Sequence, residues 1–135
     1  MNINWNRGDK IPLTVHFSTQ EFECKCGNCS IQSSNKDFIE TLDKLRVDYG
    51  HPIVVTSGNR CAAYQKKLGE SGAQTAKGIS QHELGNAADL AVPQDAKLRK
   101  LLLELCEKYF DAVGIAKSFI HVDGRRDKKR KWYYT

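Results

Sequence analysis

The chain has 135 residues, 40% of them hydrophobic and 27% charged, an ordinary balance for one globular domain spanning 1–135. No apolar run approaches the 18 or so residues of a spanning helix, which argues against membrane insertion. The formal charge of +5 is concentrated in residues 124–135, GRRDKKRKWYYT, where six Lys/Arg face a single acidic residue. Such a stretch either attracts polyanions or forms a solvated edge strand whose lysines discourage aggregation.

Residues 1–14 read as an extended N-terminal segment without the apolar core of a secretory signal, so the expected site of synthesis is the cytoplasm. Ser18 followed by Glu21 fits a short capped turn, STQEF. Phe38, Leu42, Leu45 and Tyr49 recur at helical spacing between Lys36 and Tyr49, with Ser34 or Asn35 available as the cap. Gly50 ends that helix and Pro52 blocks its continuation. PIVVTSG reads as a buried β-branched strand, residues 61–69 as a short helix and ESGAQTAKGIS as a loop. Ala87 to Val92 gives another strand. Leu98, Leu101, Leu102, Leu105, Cys106 and Tyr109 form the clearest amphipathic helix. AVGIA and SFIHVD supply two more strands before the basic stretch. Helices and strands mix without a βαβ rhythm, which predicts a small α+β fold with an antiparallel sheet packed by helices.

Of four histidines, His16 and His51 read as structural. His82 is set apart by its context, Ser80-Gln81-His82-Glu83-Leu84-Gly85-Asn86-Ala87-Ala88-Asp89, in which small residues permit close approach of chain segments. A carboxylate at Asp89 beside Leu90 is expensive to bury, and metal coordination offsets that cost. In SFIHVD, alternation places His121 and Asp123 on the face opposite Ile120 and Val122. Two imidazoles and one carboxylate leave a fourth position open, the pattern of a catalytic zinc site.

Five cysteines cannot all pair internally. Cys24, Cys26, Cys29 and Cys61 allow three states: a structural metal site, a disulfide to Cys61, or free thiols. Cys106 reads as a core residue of its helix.

The motif S-x-H-x-x-G-x-A-x-D, met at Ser80, His82, Gly85, Ala87 and Asp89, resembles the zinc motif of the M15 D-Ala-D-Ala carboxypeptidase/L,D-endopeptidase family, related in fold to the hedgehog signalling domain. Ser57-Gly58-Asn59-Arg60 resembles its S-G-x-R element and Phe119-Ile120-His121-Val122-Asp123 its closing strand. HFSTQEFECKCG is similar to the opening of a compact, phage-lysin-like subgroup. The resemblance implies one catalytic zinc on His82, Asp89 and His121; a second, structural zinc is left open by the spacing of the cysteines alone. It also implies substrate contacts from Arg60, which suits a carboxylate, and from Ser80, either near the ligands or as a turn former. Gln65 stands where the family often has Asn. The family's acidic base, three positions before the last zinc histidine, is replaced by Ser118. Asp123 is the first substitute and Glu83 the second, with Asp123 pairing to a tail arginine as the structural alternative.

The function so implied is hydrolysis of peptidoglycan stem peptides, at D-Ala-D-Ala or at an L-Ala-D-Glu-type bond, by a monomeric phage-lysin-like enzyme that meets the wall after holin-type release. The competing expectation is an inactive, zinc-stabilised wall-binding module. Nucleic acid is not expected as a partner, because Trp132, Tyr133 and Tyr134 follow the basic residues rather than interleave with them.

Overall fold

The computed structural model describes residues 2–70 and 80–134. Most of the predicted loop ESGAQTAKGIS therefore lies outside the described residues. The elements are β1 (Asn2–Asn6), a 3-10 turn (Thr19–Phe22), β2 (Ile31–Asn35), α1 (Lys36–Tyr49), β3 (Val55–Ser57) and α2 (Ala62–Glu70). Then come β4 (Ala87–Ala91), α3 (Ala96–Tyr109), β5 (Ala112–Ile115), β6 (Phe119–Asp123) and β7 (Arg130–Tyr133). The class is α+β, as the mixed pattern predicted.

Both long helices form where their caps allow. The Asn35 side chain accepts the Phe38 N–H, and Gly50 closes α1 at φ +74°, a left-handed geometry that costs glycine little. The Asp95 side chain accepts the N–H groups of Lys97 and Leu98 to start α3. Phe38, Leu42 and Leu45 on α1 and Leu102 and Cys106 on α3 face a shared core with the sheet residues Ala88, Leu90, Val113, Ile120 and Val122. Each fully buried Leu or Ile there contributes about 1.5–3 kcal/mol relative to exposure.

The main sheet runs in the order β3-β4-β6-β5-β7. Its first three pairings are antiparallel, but β7 joins β5 in parallel. That pairing corrects the all-antiparallel expectation. Arg130–Tyr133 reaches β5 by a connection from the far end of β6, so it runs in the same direction as β5. The basic stretch is thus an edge strand, one of the two readings its composition allowed. PIVVTSG yields only a three-residue edge strand that is buried on one face: Ile53 and Val55 join the core, while Val54 is 63% exposed. Apolar β-branched composition marked the strand, but not which side of the sheet's rim it would occupy. The N-terminal segment, expected only to be extended, pairs its first residues as β1 with β2 in antiparallel register from Asn2↔Asn35 to Asn6↔Ile31. Its polar sequence, NINWN, hides a strand anchored by buried Trp5, whose indole donates to Ser34 Oγ at 3.0 Å.

Cys106 is fully buried on α3, and burial pushes its thiol up to about 12. A thiol that stays protonated and enclosed does not react. Iodoacetamide at about pH 8 is expected to leave Cys106 unmodified in the native fold and to alkylate it after unfolding in guanidinium, as read by peptide mapping.

Candidate active site

Strand alternation sorts the sheet into two faces. Ala88, Leu90, Ile120, Val122 and Val113 face the helices, so Asp89, His121, Asp123 and Gly114 face the other way. Register then aligns one row of residues across all five strands: Ser57, Asp89, His121, Gly114 and Trp132. A Cβ on Gly114 would lie 2.5 Å from the Trp132 indole, so the glycine is what lets that ring lie over the sheet, 5.3 Å from the His121 ring.

His82 comes from outside the sheet, on the turn at residues 81–85. Ser80 Oγ accepts the His82 N–H at 3.2 Å, and Glu83 accepts the Ser80 N–H at 2.6 Å. Gly85 closes the turn at φ +68° against the backbone of β2. The imidazole Nδ1 lies 2.7 Å from the Gly58 carbonyl, an acceptor, so Nδ1 carries the proton. Burial lowers the pKa of His82 and favours the neutral ring. Its Nε2 is therefore a bare lone pair, buried without a hydrogen-bond partner and 3.4 Å from Asp89 Oδ1.

Asp89 is 5% exposed and sits among three partners. Oδ1 lies 3.0 Å from His121 Nδ1, and Oδ2 accepts from Arg60 at 2.9 Å. Burial would raise its pKa, but the imidazoles of His121 and His82 outweigh this and hold the carboxyl far below its usual range. His121 Nε2 meets Asp123 Oδ2 at 2.9 Å. Burial alone would lower the His121 pKa, and the flanking Asp123 and Asp89 raise it instead.

One ligand atom each from His82, Asp89 and His121 lies within 4.8 Å of the others, and all three residues are buried. The donor set fits a zinc ion by its own chemistry. A neutral imidazole lone pair facing an anionic oxygen across 3.4 Å is repulsive unless a cation lies between them.

The structure brings together His82, Asp89, His121, Asp123, Arg60 and Ser80, all lining one open cavity of about 760 Å³. Arg60 is already engaged, donating from Nε to Ser57 Oγ at 3.0 Å as well as to Asp89. Asp123 is fully buried, and Arg125 donates to both of its oxygens at 2.8–2.9 Å. Burial opposes ionisation there, yet the bonds from His121 and Arg125 hold the carboxyl at about 2. Glu83, the second base candidate, is spent on the Ser80 N–H and does not line the cavity. Ser118 is exposed at the start of β6.

Sequence reasoning missed two contributors, the Gly58 carbonyl and Tyr134, and noted a third, Gln65, only by its place in the family pattern. The Gly58 carbonyl orients His82, and no residue-type pattern announces a backbone acceptor. Gln65 is 8% exposed at the cavity, with Nε2 lacking a partner. Tyr134 joins Trp132 on the cavity wall, visible only once β7 is paired with β5.

The four clustered cysteines converge elsewhere, with Sγ atoms within 4.8 Å of one another and no disulfide among them. No curated protein and no solved structure matches the chain. A family model described as Peptidase M15 matches residues 15–123, a stretch that contains the histidine turn, the central strands and the cysteine cluster. By that match the chain belongs to the M15 peptidase family.

Proposed function

We propose that this chain is a zinc-dependent peptidase acting on bacterial cell-wall stem peptides, by carboxypeptidase or endopeptidase cleavage. The observation that carries the reading is the buried, unpartnered Nε2 of His82, aimed at Asp89 Oδ1 beside His121 on the floor of an open cavity. When bound, zinc supplies Lewis acidity that polarises a peptide carbonyl and lowers the pKa of water toward about 7.

The chain's own residues prepare the donor set. The Gly58 carbonyl accepts a hydrogen bond from the Nδ1–H of His82 and leaves Nε2 free. Asp123 accepts one from the Nε2–H of His121 and leaves Nδ1 free toward Asp89. Arg60 fixes the outer oxygen of Asp89 and still lines the cavity, where a substrate carboxylate would meet its guanidinium. Arg125, Lys128, Lys129, Arg130 and Lys131 also line the cavity, so its field favours acidic peptides. Among the described residues no helix is long and apolar enough to cross a membrane.

Asp123 is thereby read as a positioning residue rather than the general base, since both its oxygens are occupied and it is held at about 2. Asp123→Ala is expected to weaken zinc binding about 10- to 100-fold. Titration against a zinc chelator measures this. An unchanged affinity with lost activity would instead assign Asp123 to proton transfer.

The test of the function is digestion of purified peptidoglycan of several chemotypes by zinc-loaded protein, with products read by mass spectrometry. New free termini at D-Ala-D-Ala or L-Ala-D-Glu bonds support the proposal. Stoichiometric zinc with no products from any wall type would favour an inactive binding module.

A further inference from the structure

The cysteine cluster adjoins the Ser57–Arg60 loop through Cys61 and does not line the cavity, and the reading above uses none of its sulfurs. Cys24, Cys26 and Cys29 lie between the 3-10 turn and β2, and Cys61 immediately precedes α2. Their four Sγ atoms converge within 4.8 Å, with Cys26 and Cys29 at 3.3 Å. In a tetrahedral zinc tetrathiolate, Zn–S bonds of about 2.3 Å set the sulfurs roughly 3.8 Å apart. The cluster brackets that spacing. A disulfide instead draws two sulfurs together to about 2 Å and leaves the others outside the pair.

The surrounding donors make a second, independent case. The N–H groups of Asn28 and Cys29 both point at Cys26 Sγ at 3.3 Å. Cys61 N–H points at Cys24 Sγ at 3.3 Å, and Tyr64 N–H at Cys61 Sγ at 3.4 Å. Gln32 Nε2 lies 3.2 Å from Cys29 Sγ, and the Arg7 guanidinium reaches Cys29 and Cys26 at 3.4 and 3.7 Å. Every one of the four sulfurs thus faces at least one N–H. Such N–H donors aimed at sulfur are the contacts that metal-bound thiolates accept from their surroundings. Gly27, at φ +79° with nothing within 4 Å of a Cβ, supplies the bend that folds Cys26 and Cys29 onto one point.

We propose that Cys24, Cys26, Cys29 and Cys61 bind one structural zinc ion, each thiol losing its proton on ligation, and that this ion fixes the loop carrying Gly58 and Arg60. That loop is fastened at both ends of its job. Asn59 N–H and Nδ2 both donate to the Phe22 carbonyl, at 2.9 and 3.0 Å, and a Cβ on Gly58 would sit 2.7 Å from Phe22 Cα. Cys24 is two residues beyond Phe22, and Cys61 directly follows Arg60. A metal joining them locks the 3-10 turn to the loop whose carbonyl orients His82 and whose guanidinium binds Asp89. The ion would sit outside the cavity and supply rigidity, not chemistry.

The test separates this site from the histidine site and requires no activity. Zinc is counted by plasma mass spectrometry on protein purified under reducing conditions. Wild type is expected to hold about two zinc ions per chain, and His82→Ala about one. X-ray absorption on His82→Ala is expected to show sulfur alone in the first shell, at about 2.3 Å. Adding Cys26→Ser to His82→Ala should remove the remaining ion. Should that double variant fold poorly, cobalt loaded into His82→Ala gives the same answer through thiolate-to-cobalt charge-transfer absorption. The proposal is overturned if His82→Ala holds no metal, if its zinc shows a nitrogen or oxygen shell, or if intact mass shows these four cysteines oxidised in pairs.

Discussion

Asp89→Ala is expected to abolish zinc binding at the histidine site and to lower peptide hydrolysis by about a thousandfold or more. A zinc ion held there would contribute several kcal/mol of charge stabilisation to the transition state, and each 1.36 kcal/mol or so is a factor of ten in rate. Asp89 has a further role that a ligand alone would not have. It lies directly opposite His121 in the β4–β6 register and binds Arg60 through Oδ2. Removing it leaves the Arg60 guanidinium, only 15% exposed, without its carboxylate, at a cost of about 2 kcal/mol or more. Zinc content, turnover of a muropeptide and thermal unfolding followed by circular dichroism check the three parts separately. Full activity in Asp89→Ala at wild-type zinc occupancy would remove this site from the chemistry.

Gly85→Ala is expected to destabilise the fold by about 3 kcal/mol, although residue 85 meets the candidate ligand His82 only through backbone, its N–H donating to the His82 carbonyl at 3.3 Å. At φ +68° an alanine carries a left-handed penalty of about 1–2 kcal/mol. Its Cβ would also lie 2.2 Å from the Ser33 carbonyl oxygen and 2.7 Å from the carbon, both backbone atoms of β2. Backbone cannot rotate out of the way as a side chain does. Either β2 shifts or the 81–85 turn lifts, and the Asn35 N–H to Gly85 carbonyl bond of 2.8 Å goes with it. Because His82 rides on that turn, zinc affinity should fall together with stability. For a chain of this size the expected drop in Tm is about 10 °C. A Tm within about 2 °C of wild type would show that the contact between turn and strand is softer than its distances imply.

These two positions show what could be read in advance. The helices α1 and α3 were legible because their apolar positions repeat at helical spacing and Asn35 and Gly50 mark the ends of α1 by local chemistry, whereas the Asp95 cap of α3 emerged from the structure. The faces of SFIHVD were legible for the same local reason: period-two alternation sends His121 and Asp123 away from Ile120 and Val122 whatever the strand pairs with. The strand β1 was legible only as part of an extended segment: NINWN alternates polar and apolar residues, but so short a run with one β-branched side chain does not name its partner, which β2 supplies.

The sequence by itself determined the fold class, the two main helices, the strand that carries His121 and the motif that sets His82 and Asp89 apart. Tertiary structure alone decided the rest. Strand order and register placed Asp89, His121, Gly114 and Trp132 in one row, and they lie far apart along the chain. The Gly58 carbonyl fixed the His82 tautomer through a contact between residues 24 positions apart. The convergence of Cys61 on the other three cysteines, one of the arrangements the sequence left open, gave the cluster a centre. Local pattern encodes which way a side chain points, whereas long-range pairing decides what it meets.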